Sequence, residues 1–129
     1  MSLFSFLAKK NIYSEPLDNA SLRKLQATYE RNEEEGEEEA KKLIDAFPDS
    51  AFLSHVLAQF ALKREDWVSA LAYSSMALSL DPDNPNHYRL LAFIMDKNGF
   101  NDFSRVLTQI GVGKYVHLTG SKPSVSPPP

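Results

Sequence analysis

The 129 residues of this chain, 14.5 kDa in all, are enough for one domain, and a hydrophobic content of 43% is ample for its core. The net charge of −3 argues against nucleic acid as a partner, because nucleic acid selects a basic surface. Cysteine is absent, which excludes disulfides, thiolate metal sites and cysteine nucleophiles and fits a reducing compartment.

No apolar run approaches the roughly 18–20 residues that a membrane-spanning helix needs. The opening MSLFSFLAKKN places its lysines after its apolar residues, the reverse of a secretory signal. We therefore expect a cytoplasmic protein.

The N-terminal segment, positions 1–18, is predicted to form a short helix over positions 2–11 and a linker. Three apolar residues share one side of that helix: Leu3, Phe4 and Leu7. We expect this side to fold back onto the rest of the chain. A membrane surface or a partner protein is the alternative, since Lys9 and Lys10 suit anionic lipid.

The linker ends near Pro16, which disfavours helix in the residue before it. Asp18 or Asn19 can then cap a helix over residues 20–31, where apolar residues recur at helical spacing. The EEEGEEE run around Gly36 is predicted to be a solvated face or turn, with capture of a basic partner or a cation as the alternative. The next helix is predicted over residues 37–47.

The central part of the chain predicts two helices joined by the short turn KRED. The first runs from Ala51 to about Lys63 behind a Ser50 cap, and the second begins near Trp67 behind an Asp66 cap. Apolar residues of both helices spread over more than one face. We therefore expect both helices to be sandwiched between neighbours.

The fifth helix is predicted over residues 87–98, with Asn84 as its cap, Pro85 at its first position and Gly99 ending it in a left-handed conformation. The last helix is predicted over residues 100–110 with one apolar stripe, made of Phe100, Phe103, Val106, Leu107 and Ile110. A one-sided helix at the end of a stack is typical of a capping helix.

The segment after this helix, GVGKYVHLTG, does not distinguish between structures, and Val116 and Leu118 could make a short extended contact. Residues 114–129 are predicted to be a flexible proline-rich tail. The folded domain is accordingly predicted over residues 19–113.

An internal repeat relates the two motifs Pro48-Asp-Ser and Pro82-Asp-Asn. Their spacing, 82 − 48 = 34, equals the period of the tetratricopeptide repeat. The chain resembles that family because it has small and large residues where the tetratricopeptide repeat has them. These residues are Leu57, Ala58, Trp67, Ala70, Ala77, Pro82, Leu91 and Ala92. The resemblance implies an all-α fold of about three antiparallel helix pairs in a short right-handed solenoid. Ser74 departs from it, because a large aromatic is typical there, and no proline closes the last pair.

The resemblance also implies a function, because such repeats bind proteins or peptides through a concave face lined by the first helix of each pair. The residues expected on that face are His55, Gln59, Lys63, Arg89, Phe93 and Lys97. They form a modestly basic strip that suits a carboxylate or an acidic peptide, with Arg89 as the anchor. The alternative is that they are ordinary solvated side chains.

Nothing in the sequence predicts catalysis. The three histidines, at positions 55, 87 and 117, are interpreted as surface or groove residues, because none has a second ligand at zinc spacing. No phosphate-binding loop or nucleophile elbow is present. We therefore expect an adaptor, scaffold or chaperone without cofactor or metal. The alternatives are a self-associating scaffold, in which the capping helix or the N-terminal helix docks on a second copy, and a membrane-surface adaptor.

Overall fold

The computed structural model describes residues 13–120, of which 80% are helical. The six helices are α1 (Asn19–Arg31), α2 (Glu33–Ala46), α3 (Ala51–Lys63), α4 (Trp67–Leu80), α5 (Pro85–Lys97) and α6 (Asn101–Thr119). No strand occurs among the described residues, so the all-α prediction is confirmed. The helix predicted over positions 2–11 and the segment 121–129 lie outside the described part of the chain.

The helices pack in neighbouring pairs, as the sequence predicts, and fall into two compact units. The N-terminal unit, Ser14–Leu80, contains α1 to α4, where α1 packs on α2, α2 on α3 and α3 on α4. The C-terminal unit, residues 81–120, consists of α5 packed on α6. The right-handed sense of a solenoid stays a prediction.

The repeat period of the sequence reappears in the helix boundaries. The second helices of the three pairs begin at Glu33, Trp67 and Asn101, so that 67 − 33 and 101 − 67 both equal 34. The first helices α3 and α5 begin at Ala51 and Pro85, and 85 − 51 gives the same value. The chain is therefore a helical repeat in its structure as well as in its motifs.

The turns within the second and third pairs share one hydrogen bond and one backbone conformation. Asp66 donates its N–H to the carbonyl of Ala61 at 2.9 Å, and Phe100 donates to Met95 at 2.9 Å. The residue before each donor is left-handed, with φ of 55° at Glu65 and 86° at Gly99. The prediction for Gly99 is thus confirmed. At the equivalent position Glu65 carries a Cβ that the left-handed region disfavours.

Side-chain caps explain where most helices begin. The predicted cap Asp18 accepts from the N–H of Ser21 at 2.6 Å, and these hydrogen bonds hold the pKa of Asp18 below its ordinary value. The other predicted caps are also confirmed, with Ser50 bonded to Leu53, Asp66 to Ser69 and Asn84 to Asn86. Each satisfies an N–H group that the first helical turn leaves without an intrahelical partner.

The acidic run is helical, so the prediction of a helix starting at residue 37 is wrong. Helix α2 begins at Glu33, because Asn32 caps it by accepting from Glu35 at 3.1 Å. Glutamates in the first turn also suit the positive end of the helix dipole. Gly36 is buried where α1 and α2 approach each other, and a Cβ added there would lie 2.8 Å from the Cα of Tyr29.

The core of the N-terminal unit draws on residues of several helices and on the linker before them. Its buried members are Leu17, Leu25, Ala40, Leu53, Leu57 and Phe60. The linker is held by Glu15, whose carboxylate accepts from the N–H of Phe52 at 3.1 Å and from the hydroxyl of Ser50. This carboxylate therefore fixes the linker to the start of α3.

The prediction that both central helices are buried twice holds for α3 and fails in part for α4. Helix α3 packs on α2 and on α4, and seven of its residues are buried. Helix α4 buries Ala70, Ser74 and Ala77 but leaves Val68 and Leu71 exposed.

Helix α6 continues to Thr119, so residues 114–119 belong to it and not to a tail, and no extended contact forms at residues 116–118. Two contacts to the start of α5 explain the extension. Gly111 lets the helices approach, since a Cβ there would lie 3.0 Å from that of Tyr88. Lys114 donates to Asp83 at 2.9 Å, which raises the pKa of the lysine. The left-handed Gly120, with φ of 75°, ends the helix.

The apolar stripe of α6 does not pack as the stripe of a capping helix should. Only Leu107 is buried; the exposed fractions of the other four are Phe100 59%, Phe103 62%, Val106 53% and Ile110 42%. Leu107 and Gly111 form the buried arc against α5, and Phe103, Val106 and Ile110 lie about 90° away around the helix. Helix α6 therefore has two apolar arcs, one of which stays exposed among the described residues.

We predict that Gly36→Ala destabilises the protein although alanine is the better helix former. The added methyl meets the backbone of Tyr29, and overpacking of this kind costs about 1–3 kcal/mol. Thermal unfolding measures the change. Gly113→Ala is the matched control, because nothing lies within 4 Å of its added methyl, and it should gain about 0.5–1 kcal/mol. Equal gains at both positions would contradict the close approach.

We predict that Glu65→Gly stabilises the protein, because it removes a Cβ from a left-handed residue; the expected gain is about 0.5–1 kcal/mol. Urea unfolding of the full chain measures it. The reciprocal variant Gly99→Ala should lose a similar amount. A loss of stability in Glu65→Gly would show that the glutamate side chain contributes more than its backbone strain costs.

Candidate binding faces on α3 and α5

The three residues predicted on the binding face of α3 follow each other at intervals of four, so they share one side of that helix. His55 and Gln59 are half-buried, and Lys63 at the end of the helix is exposed. The structure therefore brings these three into one row, as predicted. Lys63, however, does not present a free charge.

Lys63 is held by two residues of the preceding pair that the sequence did not nominate. Its ammonium donates to Glu33 Oε1 at 3.1 Å and to the hydroxyl of Tyr29 at 3.4 Å, and it lies 5.7 Å from the centre of the Tyr29 ring. The tyrosine hydroxyl also donates to Glu33 at 3.3 Å. The Tyr29 ring in turn lies 5.8 Å from that of Phe60.

The electrostatics of this cluster follow from the lysine–glutamate pair. The hydrogen bond from Lys63 and its positive charge lower the pKa of Glu33, and the hydrogen bond to Glu33 raises the pKa of Lys63. Arg64 beside it is also engaged, by Glu37. The acidic run thus pairs with the basic end of α3, and the lysine of the predicted strip is held by a carboxylate of its own unit.

Sequence reasoning missed this cluster because it placed the acidic run partly in a turn. Glu33 is the first residue of α2, and its partner Tyr29 lies near the end of α1, on the other side of the extended Asn32. The Asn32 cap was the available signal. It stands directly before the first glutamate, as capping residues do.

The residues predicted on the binding face of α5 lie on one side of that helix. Arg89, Phe93 and Lys97 stand at intervals of four on one side of the helix, the first two half-buried and the last exposed. The ammonium of Lys97 lies 5.4 Å from the centre of the Phe93 ring, a cation–π contact. The guanidinium of Arg89 donates to Asn86 at 2.5 Å. We call these three residues the α5 ladder.

The charges of the α5 ladder are not neutralised within the described residues 13–120. Neither Arg89 nor Lys97 forms an ion pair there, whereas Lys63, Arg64 and Lys114 all do. Asn86 supplies only a neutral amide oxygen. Within that part of the chain, the ladder is therefore an aromatic side chain between two cations that have no carboxylate partner.

The residues assigned to repeat positions lie in the interior. Six are buried, namely Leu57, Ala58, Ala70, Ala77, Leu91 and Ala92, while Trp67 and Pro82 are half-buried. Gly36 stands one repeat period before Ala70 and is the point of closest approach in the first pair. A buried small residue thus recurs at this position of the repeat.

The other groups that could carry chemistry form no site within the described residues. His87 is buried, contrary to its interpretation as a surface or groove residue, and its Nε2 lies 3.4 Å from Asp81. No group of three histidine, aspartate or glutamate side chains could hold a metal ion there. A groove of about 430 Å³ between α1 and α2 is lined by side chains of both charges and favours no ligand charge.

Comparison with known proteins gives no further assignment. No protein family matches the sequence, and no curated protein is significantly similar to it. Within residues 13–120, none of the helices is both long and apolar enough to cross a membrane.

We predict that Glu33→Gln lowers the melting temperature at pH 7 and has no effect at low pH. Because the folded pKa of Glu33 is depressed, its stabilisation is present above the unfolded pKa, near 4.5, and is lost as the pH falls through the folded value. Thermal melts between pH 2.5 and 7 measure the difference, which should shrink in high salt. Glu34→Gln is the control, and an identical profile for it would contradict the Lys63 pairing.

Proposed function

We propose that this protein is a non-catalytic adaptor that binds an acidic segment of another protein along the α5 ladder. The observation that supports this function most directly is the pair of cations flanking Phe93, neither of which forms an ion pair within residues 13–120. In the N-terminal unit the corresponding lysine is already neutralised by Glu33. The binding function is therefore assigned to α5 alone.

Each residue of the α5 ladder has a distinct role in this proposal. Arg89 offers a planar fork for a carboxylate, which it can bind with two parallel hydrogen bonds. Phe93 offers an apolar surface for a side chain of the ligand, and Lys97 adds a second positive charge. Eight helical residues span about 12 Å, the length of about four residues of an extended peptide. The preferred ligand thus carries two acidic residues about four positions apart, with an apolar residue between them.

The resemblance to tetratricopeptide repeats supports a role as an adaptor, scaffold or chaperone, because the first helices of such repeats line the ligand-binding face. The regular period of the helix boundaries agrees with it. The lack of cysteine suits a reducing compartment and so agrees with a cytoplasmic location.

The α5 ladder can be tested with two labelled peptides in an anisotropy titration of the full chain. One is a glycine–serine nonapeptide carrying two glutamates four positions apart and a leucine between them; the other has lysines in place of the glutamates. We expect the acidic peptide to bind more tightly. Arg89→Glu with Lys97→Glu should weaken it at least tenfold, because each lost charged hydrogen bond costs about 1.5–3 kcal/mol.

Arg105→Glu is the charge-matched control for the single variant Arg89→Glu, since Arg105 is an exposed arginine of the same unit outside the ladder. It should leave binding within about twofold, as surface charges contribute little at a distance. Equal losses in the control would indicate a net-charge effect. Equal affinity for both peptides would mean that the ladder residues are only solvated side chains.

A further inference from the structure

The uncovered arc of α6 has the residue spacing of a helix-pairing seam. Phe103, Val106 and Ile110 stand three and four positions apart, and Gly113 and His117 continue the same alternation. Spacings of three and four are the signature of the residues that meet between two paired helices. We call these five positions the α6 seam.

Gly113 has no packing role among the described residues of its own chain. A Cβ added to it would meet nothing within 4 Å, whereas the neighbouring Gly111 is needed for the approach to Tyr88. Glycine in the middle of a helix costs stability relative to alanine. An open glycine on the seam is explained if another side chain fills the space beside it.

We propose that the α6 seam binds the α6 seam of a second copy of this chain, in an antiparallel, twofold-symmetric pair. In the matching register, Val106 of each copy packs between Val106 and Ile110 of the other. Phe103 then packs between Ile110 and the open Gly113. Phe103, Val106 and Ile110 of one copy therefore each pack against apolar residues or the open glycine of the other copy. A twofold interface requires that the same surface fit itself in this way.

The charges beside the seam permit this pairing. Asp102 and Arg105 pair with each other within one helix at 3.4 Å, and Lys114 is held by Asp83 at 2.9 Å. In the antiparallel register Asp102 lies level with the region of Gly113 in the second copy and Lys114 with that of Phe100. No like charges are brought together, so a chain of net charge −3 can associate through this face.

The exposed area sets the expected strength of the pair. The exposed parts of Phe100, Phe103, Val106 and Ile110 sum to on the order of 400 Å² per copy, about half of the roughly 800 Å² per partner in a standard interface. We therefore expect a reversible dimer with a dissociation constant in the micromolar range. Phe100 at the rim adds apolar area without lying on the seam.

Sedimentation velocity of the full chain from 2 to 500 µM tests the proposal. The wild type should pass from monomer to dimer, and Val106→Lys should raise the dissociation constant at least tenfold, because two lysines then meet at the symmetry axis. Thr108→Lys is the control on the opposite side of the same helix and should dimerise as the wild type does. Unfolding curves should show that both variants fold, since both positions are exposed.

Two further measurements test the contact at the symmetry axis and the contact at Gly113. An equal mixture of Val106→Lys and Val106→Glu should recover the dimer, because the axis then joins opposite charges. Gly113→Ala should raise the melting temperature of the monomer yet weaken the dimer about threefold, because its methyl fills the space for Phe103. Failure of the mixture to recover the dimer would overturn the antiparallel pair.

A wild type that stays monomeric at 500 µM overturns the proposal, as does a Val106→Lys variant that dimerises like the wild type. Co-sedimentation with phosphatidylcholine–phosphatidylglycerol vesicles distinguishes a lipid surface. If the monomeric wild type binds the vesicles and Val106→Lys does not, the seam is a membrane contact and the dimer is rejected.

Discussion

The close approach of paired helices at small buried residues is the constraint on which this structure depends. In the first pair α1 crosses α2 at Gly36, with the backbone of Tyr29 directly opposite. In the third pair α5 crosses α6 at Gly111, with Tyr88 opposite. Such contacts leave little or no room for a methyl group, so they fix which arc of each helix faces its partner. The remaining arcs are then free to carry binding residues.

Local signals in the sequence were enough to predict most of the helix boundaries. Capping side chains such as Ser50 and Asn84 act on the first helical turn, and Gly99 acts through its own backbone, so each can be interpreted without knowing the fold. The repeat spacing added the pairing of helices. The acidic run led to a wrong boundary because glutamates suit both a solvated turn and the first turn of a helix. Only the preceding Asn32 separates the two.

The faces that the helices use could not be predicted as well, because periodicity reveals apolar arcs but not their neighbours. Helix α6 has one arc through Leu107 and another through Phe103 and Ile110. The sequence merged them into a single stripe, and the glycine contact at Tyr88 decides between them. Lys63 shows the same limit of sequence patterns. The spacing of four places it in a row with His55 and Gln59 on α3, but its ion pair with Glu33 of the preceding helix pair depends on how the helices pack.

The contrast between the two units gives the proposed functions their physical basis. In the N-terminal unit Lys63 and Arg64 at the end of α3 form ion pairs with glutamates of α2. These pairs stabilise the unit and leave little positive charge for a ligand. In the C-terminal unit the α5 ladder keeps its charge and the α6 seam keeps its apolar surface. The exposed apolar side chains of the seam are unfavourable in water and gain from being covered, whereas the cations of the ladder are hydrated and remain available to an anionic ligand.

Because the ladder and the seam lie on different helices of one unit, pairing of two seams would carry two ladders into one particle. Two weak sites held together bind a partner with two acidic segments much more tightly than either site does alone. A peptide site of modest affinity and a dimer of modest affinity would therefore reinforce each other. The linkage is reciprocal, since a bivalent partner would also draw two copies together.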